Sequence, residues 1–238
     1  MKTIKLLSLN IYNYHDWNER KPKIVDFIRK HNPDIISFQE VRDDAQFNKK
    51  GDNQAKQLNN ELNYPYYSFF TTTDKKKEHP ERYALDCTEG TAILSKFPIL
   101  KAEKVKLKKN SEDIHNCGNL HVKIKANNKI IEVIAVHFSN KDLFSLLHLI
   151  ETLKYTKEKK IKPIIMGDFN VKFPDWLHDL TEDSFKSSFK YKKYISLPSE
   201  NITLDYIIIP KKFNFKSVKC EGEGISDHKA LIAEIEIK

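Results

Sequence analysis

Apolar and polar positions change rhythm along the chain, and each rhythm predicts an element. Residues 4–11 are mostly apolar and predict a first strand, with Asn10 near its end. Ile24, Phe27 and Ile28 then recur at helical spacing; Pro22 is tolerated in a first turn, and Asn32-Pro33 stops the helix. Residues 34–38 form a short apolar strand that delivers Gln39-Glu40 at its end. Residues 43–53 predict a polar loop, and a second helix is expected over 54–62. The aromatic and β-branched run 66–73 predicts a strand, followed by a charged loop over 74–81. Another strand, 91–95, is entered through Glu89-Gly90. Residues 105–107 and 120–124 alternate apolar and polar, as half-exposed antiparallel strands do. Asn127-Asn128 turns the chain into 130–136, which leads to His137.

The clearest helix covers 141–158, where Leu143, Leu146, Leu147, Ile150 and Leu153 form a stripe expected to pack on a sheet. Runs 163–166 and 204–209 predict the most buried strands, and 230–237 closes the chain in alternation. Regular strand–helix–strand alternation is absent. The order predicts two sheets packed face to face with helices outside, an α/β sandwich, in preference to a doubly wound parallel sheet.

Several of these strands end in polar clusters, where open α/β sheets place their chemistry. Gly167-Asp168-Phe169-Asn170 follows the apolar run Pro163-Ile164-Ile165-Met166. Its acid can orient or deprotonate a water, and its amide can donate to a phosphoryl oxygen. Gly, Asp and Asn are equally common in plain turns. Glu40 at a strand edge suits a hard cation, because Mg²⁺ takes oxygen ligands and only one or two protein carboxylates; a surface glutamate is the plainer alternative. Asp205 lies in an apolar run and needs a partner if buried. His228, within Ser226-Asp227-His228, would satisfy it and fix the imidazole tautomer. Glu89 is expected to do the same for His137. A single histidine at such a place is more often a core or surface residue; two, each with a candidate carboxylate, weaken that alternative.

The chain has 238 residues, no linker-like stretch and no repeat, so one domain over 1–238 is expected. Its formal net charge is +8, which favours polyanionic partners, although a lysine-rich coding bias gives the same sum. Cys87, Cys117 and Cys220 form no Cys-x-x-Cys pair and no disulfide framework. The basic start has an apolar run too short for a signal peptide, and no segment approaches the roughly 20 apolar residues of a membrane span. A cytoplasmic chain without a disulfide partner or stable membrane association is expected, and a monomer.

The ordered set of motifs resembles the endonuclease/exonuclease/phosphatase superfamily. That superfamily includes pancreatic-type deoxyribonucleases, AP endonucleases, neutral sphingomyelinases, inositol-polyphosphate 5-phosphatases and 5′-tyrosyl-DNA phosphodiesterases. The matching pieces are Leu9-Asn10, Phe38-Gln39-Glu40-Val41, the run 89–99 from Glu89-Gly90, Val136-His137-Phe138, Gly167-Asp168-Phe169-Asn170, Leu204-Asp205-Tyr206-Ile207 and Ser226-Asp227-His228. The resemblance implies a four-layer α/β sandwich of two mostly antiparallel mixed sheets flanked by helices. It implies Glu40 as the main ligand of Mg²⁺ or Mn²⁺, with Asn10 and Asp227 close to the metal or the phosphate. Asp168 would position the attacking water and Asn170 would hold the phosphate. His228 with Asp205, and His137 with Glu89, would contact the phosphate and act as general acid/base.

His137 stands where AP endonucleases usually carry Tyr, which argues against AP-site incision. Thr203-Leu204 replaces the Arg-Ile that many members have before the Asp. The implied activity is metal-dependent phosphoester hydrolysis by a nuclease or DNA-end-processing phosphodiesterase, with nucleic acid, DNA by preference, as partner. Its sequence support is the net charge and clusters such as Lys49, Lys50, Lys75, Lys76, Lys77, Lys108, Lys109, Lys192 and Lys193. Tyr64, Tyr66, Tyr67, Tyr191 and Tyr194 lie near some of them and would stack on bases; packing at a sheet edge is the plainer role. The alternative is a phosphatase, or a phospholipid, sphingomyelin or inositol-phosphate hydrolase, using the same site. A binding module on a dead scaffold would need a lost core residue, and none is lost.

Overall fold

Strands that are apolar on both faces need cover on both sides. In β1 (Lys2–Asn10), Ile4 and Leu6 face one way and Leu7 and Leu9 the other, all fully buried. The computed structural model describes residues 2–113 and 116–237. It resolves this demand with two six-stranded sheets packed together and helices on their outer faces.

The first sheet runs β11-β12-β1-β2-β4-β3. Its strands are β1, β2 (Ile35–Asp44), β3 (Tyr66–Asp74), β4 (Cys87–Ser95), β11 (Asn214–Glu221) and β12 (Ala230–Ile237). The second runs β5-β6-β7-β8-β10-β9. Its strands are β5 (Ile99–Lys106), β6 (Gly118–Ala126), β7 (Lys129–His137), β8 (Ile164–Asp168), β9 (Phe185–Ser187) and β10 (Asp205–Pro210). Pairing is antiparallel except between β1 and β2 and between β7 and β8. Helix α1 (Trp17–His31) joins the first parallel pair and α4 (Asp142–Glu158) the second. The remaining helices are α2 (Gln54–Leu62), α3 (Lys75–Glu78), α5 (Pro174–Thr181) and α6 (Ser188–Tyr191).

Three buried apolar clusters correspond to the three interfaces of a four-layer sandwich. Between the sheets lie Ile4, Leu6, Ile35 and Ile93 against Val133, Ile164, Met166 and Ile207. Under α1 and α2 lie Leu7, Leu9, Ile36 and Phe38 with Trp17, Ile24, Ile28, Ala55 and Leu58. Under α4 and α5 lie Ile134, Val136, Ile165 and Ile208 with Leu149, Phe169 and Leu177.

The stripe expected on α4 holds only in part: Leu146 and Leu153 pack against the cluster beneath the helix, and the other three members do not. Leu143 is 64 % exposed, Leu147 43 % and Ile150 46 %. The helix instead turns Phe144, Ser145, His148, Leu149, Thr152 and Thr156 inward. The polar members of that face find partners: Thr152 Oγ1 donates to His148 O at 2.7 Å, Asn119 Nδ2 donates to Thr152 Oγ1 at 2.8 Å, and Ser139 N donates to His148 Nδ1 at 3.3 Å. Polar groups bonded this way are buried at little cost, so the buried face is rotated from the apolar stripe and shares only its Leu146 and Leu153 edge. The charged loop expected over 74–81 begins as the one-turn helix α3, capped by the Asp74 side chain on Lys77 N. Strand β2 runs to Asp44, past the point where the polar loop was expected.

Candidate active site

The parallel pairs bring their carboxyl ends to the same edge of the sandwich. In the first, Asn10 stands level with Gln39, directly before Glu40. In the second, His137 stands level with Asp168. Antiparallel β10 places Asp205 on the other side of Asp168. His137, Asp168 and Asp205 therefore form a row across three neighbouring strands.

Two backbone features aim these side chains. A Cβ on Gly167 would lie 2.0 Å from Val136 O, so only glycine lets β8 come this close to β7 beside Asp168. Glu40 lies where the register of β2 on β4 shifts, between Phe38 and Val41, and has φ 54. A bulge with a left-handed residue is costly for a glutamate and turns the carboxylate out of the ladder. Asn170 also has φ 50, which asparagine tolerates better.

Glu40, Asp168, Asn170, His137, Asp227 and His228 line one pocket of about 340 Å³. Asn10 and Asp205 stand behind them. The Asn10 amide donates to Glu40 Oε1 at 3.1 Å and to Asp168 Oδ2 at 3.1 Å, while its oxygen accepts Tyr12 N–H at 3.0 Å. It thus turns its donor end to the carboxylates and joins the two parallel units. The Asn13 amide donates to Glu40 Oε2 at 3.1 Å. Asn170 N donates to Asp168 Oδ1 at 2.9 Å, and the Asn170 side chain donates to Phe138 O at 2.9 Å.

His228 Nδ1 and Asp205 Oδ2 are 2.7 Å apart, and His228 Nε2 lies 3.9 Å from Asp168 Oδ2. His137 Nε2 approaches the same oxygen at 3.8 Å. Burial opposes charge on His228, but Asp205 outweighs it and lifts the imidazole pKa to about 10. Burial, reinforced by Asp205, pushes Asp168 up to about 6 against the pull of His228 and His137. The site therefore couples a charged imidazole to a carboxylate ready to take a proton near neutral pH.

Glu89 does not form the expected pair with His137. Its Oε2 takes Arg42 Nε at 2.7 Å and its Oε1 lies 3.0 Å from Lys75 Nζ. Burial opposes its charge, yet Lys75 and Arg42 hold the carboxyl at about 2. His137 touches it only through space. Arg42 stands two residues past Glu40, but the bulge at Glu40 breaks strict alternation, and it is the register of β2 on β4 that sets Arg42 level with Glu89. Lys75 is expected from sequence only as one of a basic cluster, and Asn13, Thr73 and Asn116 carry no signal there.

The tyrosines named for stacking divide: the Tyr64 ring is buried, in the plainer packing role, and Tyr191 is exposed. Tyr64, Tyr67 and Tyr194 hydroxyls are spent on Pro33 O, Asn53 and Asp205 O. Tyr191 is exposed but donates to Lys216 O, by the β9 edge. Among the lysines, Lys76 pairs with Asp86 and Lys77 with Asp74; Lys75 is the one of that run that enters the pocket.

A divalent cation fits this donor set. Of the cations lining the pocket, Arg42 and Lys75 are both paired with Glu89, and the protonated His228 is paired with Asp205. Glu40, Asp227 and Glu200 also line it and form no ion pair among the described residues. An anionic substrate would meet net negative charge there unless a cation intervened. Asp168, Asp205 and His228 offer donor atoms within 4.8 Å of one another. His228 and Asp205 are already bound to each other, however, and a ring that holds its proton is a poor ligand. The Glu40 end is the better seat.

The sequence model of the Endonuclease/Exonuclease/phosphatase family matches residues 7–228. The chain belongs to that family. Enzymes of this family hydrolyse phosphoester bonds and generally depend on divalent metal. No curated protein matches the chain. Solved structures do, at low identity. An endonuclease/exonuclease/phosphatase of Beutenbergia cavernae is 16 % identical with a TM-score of 0.80, over 100 % of this chain and 72 % of that one. The human Nocturnin catalytic domain, with a bound sulfate anion, is 21 % identical with a TM-score of 0.74, over 99 % and 95 %. A mannosyl-6-phosphatase of Bacteroides thetaiotaomicron is 16 % identical with a TM-score of 0.72, over 98 % and 100 %. At these identities the likeness is one of fold, and it agrees with the four-layer sandwich. No helix among the described residues is long and apolar enough to cross a membrane.

Proposed function

We propose that the chain is a metal-dependent phosphodiesterase acting on nucleic acid, as a nuclease or an enzyme that trims DNA ends. The observation that carries this is the convergence of Glu40, Asp168, Asn170, His137 and the Asp205–His228 pair on one pocket. Glu40, with Asp227 beside it, would hold Mg²⁺ or Mn²⁺. When bound, that ion supplies Lewis-acid neutralisation of phosphoryl charge.

The chain's own groups divide the remaining work. Asp168, backed by the Asn10 amide and by Asn170 N, orients the attacking water and takes its proton. Asn170 offers its side-chain amide to a phosphoryl oxygen. His228 keeps its proton because Asp205 sits on Nδ1, so Nε2 is a fixed donor to the charge that develops. His137, half-buried at the end of β7, protonates the leaving oxygen. Charge neutralisation, an aligned nucleophile and a protonated leaving group are what phosphodiester cleavage requires.

A panel of substrates supplemented with Mg²⁺ or Mn²⁺ tests the proposal. It includes single- and double-stranded DNA, RNA, 5′-tyrosyl DNA, sphingomyelin, inositol phosphates and a sugar phosphate. Cleavage of nucleic acid, abolished by EDTA, is the expected result. Turnover confined to monoesters or to lipid would replace it with the phosphatase or lipid-hydrolase alternative. Undiminished turnover in saturating EDTA would remove the metal.

A further inference from the structure

We infer that Arg42 and Lys75 form a second anion subsite in the same pocket, one that receives a phosphate neighbouring the phosphate being cleaved. The inference rests on the phosphodiesterase function proposed above and narrows its substrate class. Substrates that carry two phosphates in sequence, as a nucleic-acid strand does, would be preferred over esters with a single phosphate.

Arg42 projects from β2 just beyond the bulge that aims Glu40, and Lys75 opens α3. Both side chains are largely enclosed, at 16 % and 11 % exposure, yet both line the catalytic pocket with Thr72, Thr73 and Asn116. Glu89 engages them with one oxygen each. Two cations held on one carboxylate leave an excess positive charge on this wall. Glu40 and Asp227, which line the same pocket, are acidic. The pocket therefore offers acidic groups to a cation and basic groups to an anion.

The bonding of Arg42 separates a ligand site from a structural ion pair. Arg42 meets Glu89 through Nε, and its two terminal nitrogens make no hydrogen bond among the described residues. Arg20 shows what a structural arginine looks like in this protein. It is 7 % exposed, and all three of its nitrogens end on backbone carbonyls of Ile11, Tyr12, Asn13, His15 and Ile225. Arg42 keeps its fork open. The Tyr83 ring, 5.8 Å from the guanidinium carbon, limits how that fork can turn. A planar fork with both terminal nitrogens unspent matches two oxygens of a phosphate. Glu89 then acts as a positioning residue for the subsite.

The test compares thymidylyl-thymidine with the same dinucleotide carrying an added 5′- or 3′-terminal phosphate. All three contain one identical scissile bond, and bis(p-nitrophenyl) phosphate serves as a single-phosphate reference. The wild type should favour one of the phosphorylated dinucleotides by at least about 10-fold in kcat/KM, the scale of a charge-assisted contact. Arg42→Met should bring that ratio close to one, and Arg42→Lys should lower it part-way because the charge remains without the fork. A wild type without preference, or a ratio that survives in folded Arg42→Met, would overturn the subsite. Should Arg42→Met fail to fold, Lys75→Gln and Arg42→Lys carry the same comparison. Failure of the wild type on every substrate, bis(p-nitrophenyl) phosphate included, would instead refute the phosphodiesterase function. Binding of a fluorescent oligothymidylate then judges the subsite alone. The slope of log Kd against log salt should flatten by about one in the Arg42 and Lys75 variants, and an unchanged slope would dismiss it.

Discussion

β1–α1–β2 and β7–α4–β8 are the same unit, a parallel pair joined by a helix, set once in each sheet. Their ends are equipped differently. The first unit ends in Asn10 and Glu40, and the Glu40 carboxylate accepts from the neutral amides of Asn10 and Asn13. The second ends in His137 and Asp168, within reach of His228 and level with Asp205. Neutral amides leave a carboxylate its full charge for a cation. Around Asp168, burial and a second carboxylate instead raise the pKa to about 6, while the imidazoles of His228 and His137 pull it down. In the proposed mechanism the two ends divide the task, one recruiting positive charge and the other moving protons, with the Asn10 amide shared between Glu40 and Asp168.

Asp168→Asn should give the largest effect, a fall in kcat on the order of 10³-fold or more for bis(p-nitrophenyl) phosphate. The metal-free variant should melt no lower than the wild type. Burial raises the folded pKa of Asp168 above its ordinary value, so its charge works against the fold, and increasingly so as pH rises through about 6. A neutral amide relieves that opposition. Near-normal turnover would reassign the water-activating group.

Glu40→Gln should differ in kind. Half-activation should need about 10- to 100-fold more Mg²⁺, with much of kcat recovered at saturation. If excess metal leaves this variant as inactive as Asp168→Asn, the two units do not divide the task.

How far this was legible beforehand varies by residue. Asp168, Asn170 and the Asp205–His228 pair announced themselves because each polar group interrupts or ends an apolar run, and a buried carboxylate needs a partner. The sandwich was legible from mixed rhythms with several hairpins. Glu89 is not legible in the same way, because the cations that hold it, Arg42 and Lys75, arrive from β2 and α3 through the tertiary fold. The bulge at Glu40 and the glycine-dependent approach at Gly167 are properties of strand pairing, invisible in one strand's pattern. The helices and strands between 172 and 203 are short and held by their neighbours, so they carry little periodicity of their own.

His228→Gln gives a test of intermediate size in the metal-free protein. Its ring has a folded pKa of about 10 against an ordinary 6.5. Its stabilising contribution is therefore complete below about pH 6.5 and is lost as pH rises through 10. The melting-temperature gap between wild type and His228→Gln should be widest in mildly acidic buffer and close progressively between pH 7 and 10. A gap that widens with pH would mean that Asp205 does not hold the proton on the ring, and the second unit would lose its fixed donor.

The smallest effect concerns the two crossover helices. α1 follows its apolar spacing, burying Ile24, Val25 and Ile28. α4 departs from it, holding a hydrogen-bonded polar face against the second sheet and leaving leucines outside. Ile28→Ala and Leu149→Ala should each cost about 2–5 kcal/mol in urea unfolding, because both leave cavities. Leu147→Ala should change stability by less than about 0.5 kcal/mol, as an exposed substitution does. A loss at Leu147 comparable with that at Leu149 would mean that something covers the outer face of α4. The two helices would then follow the same packing rule after all, with α4 buried on both sides.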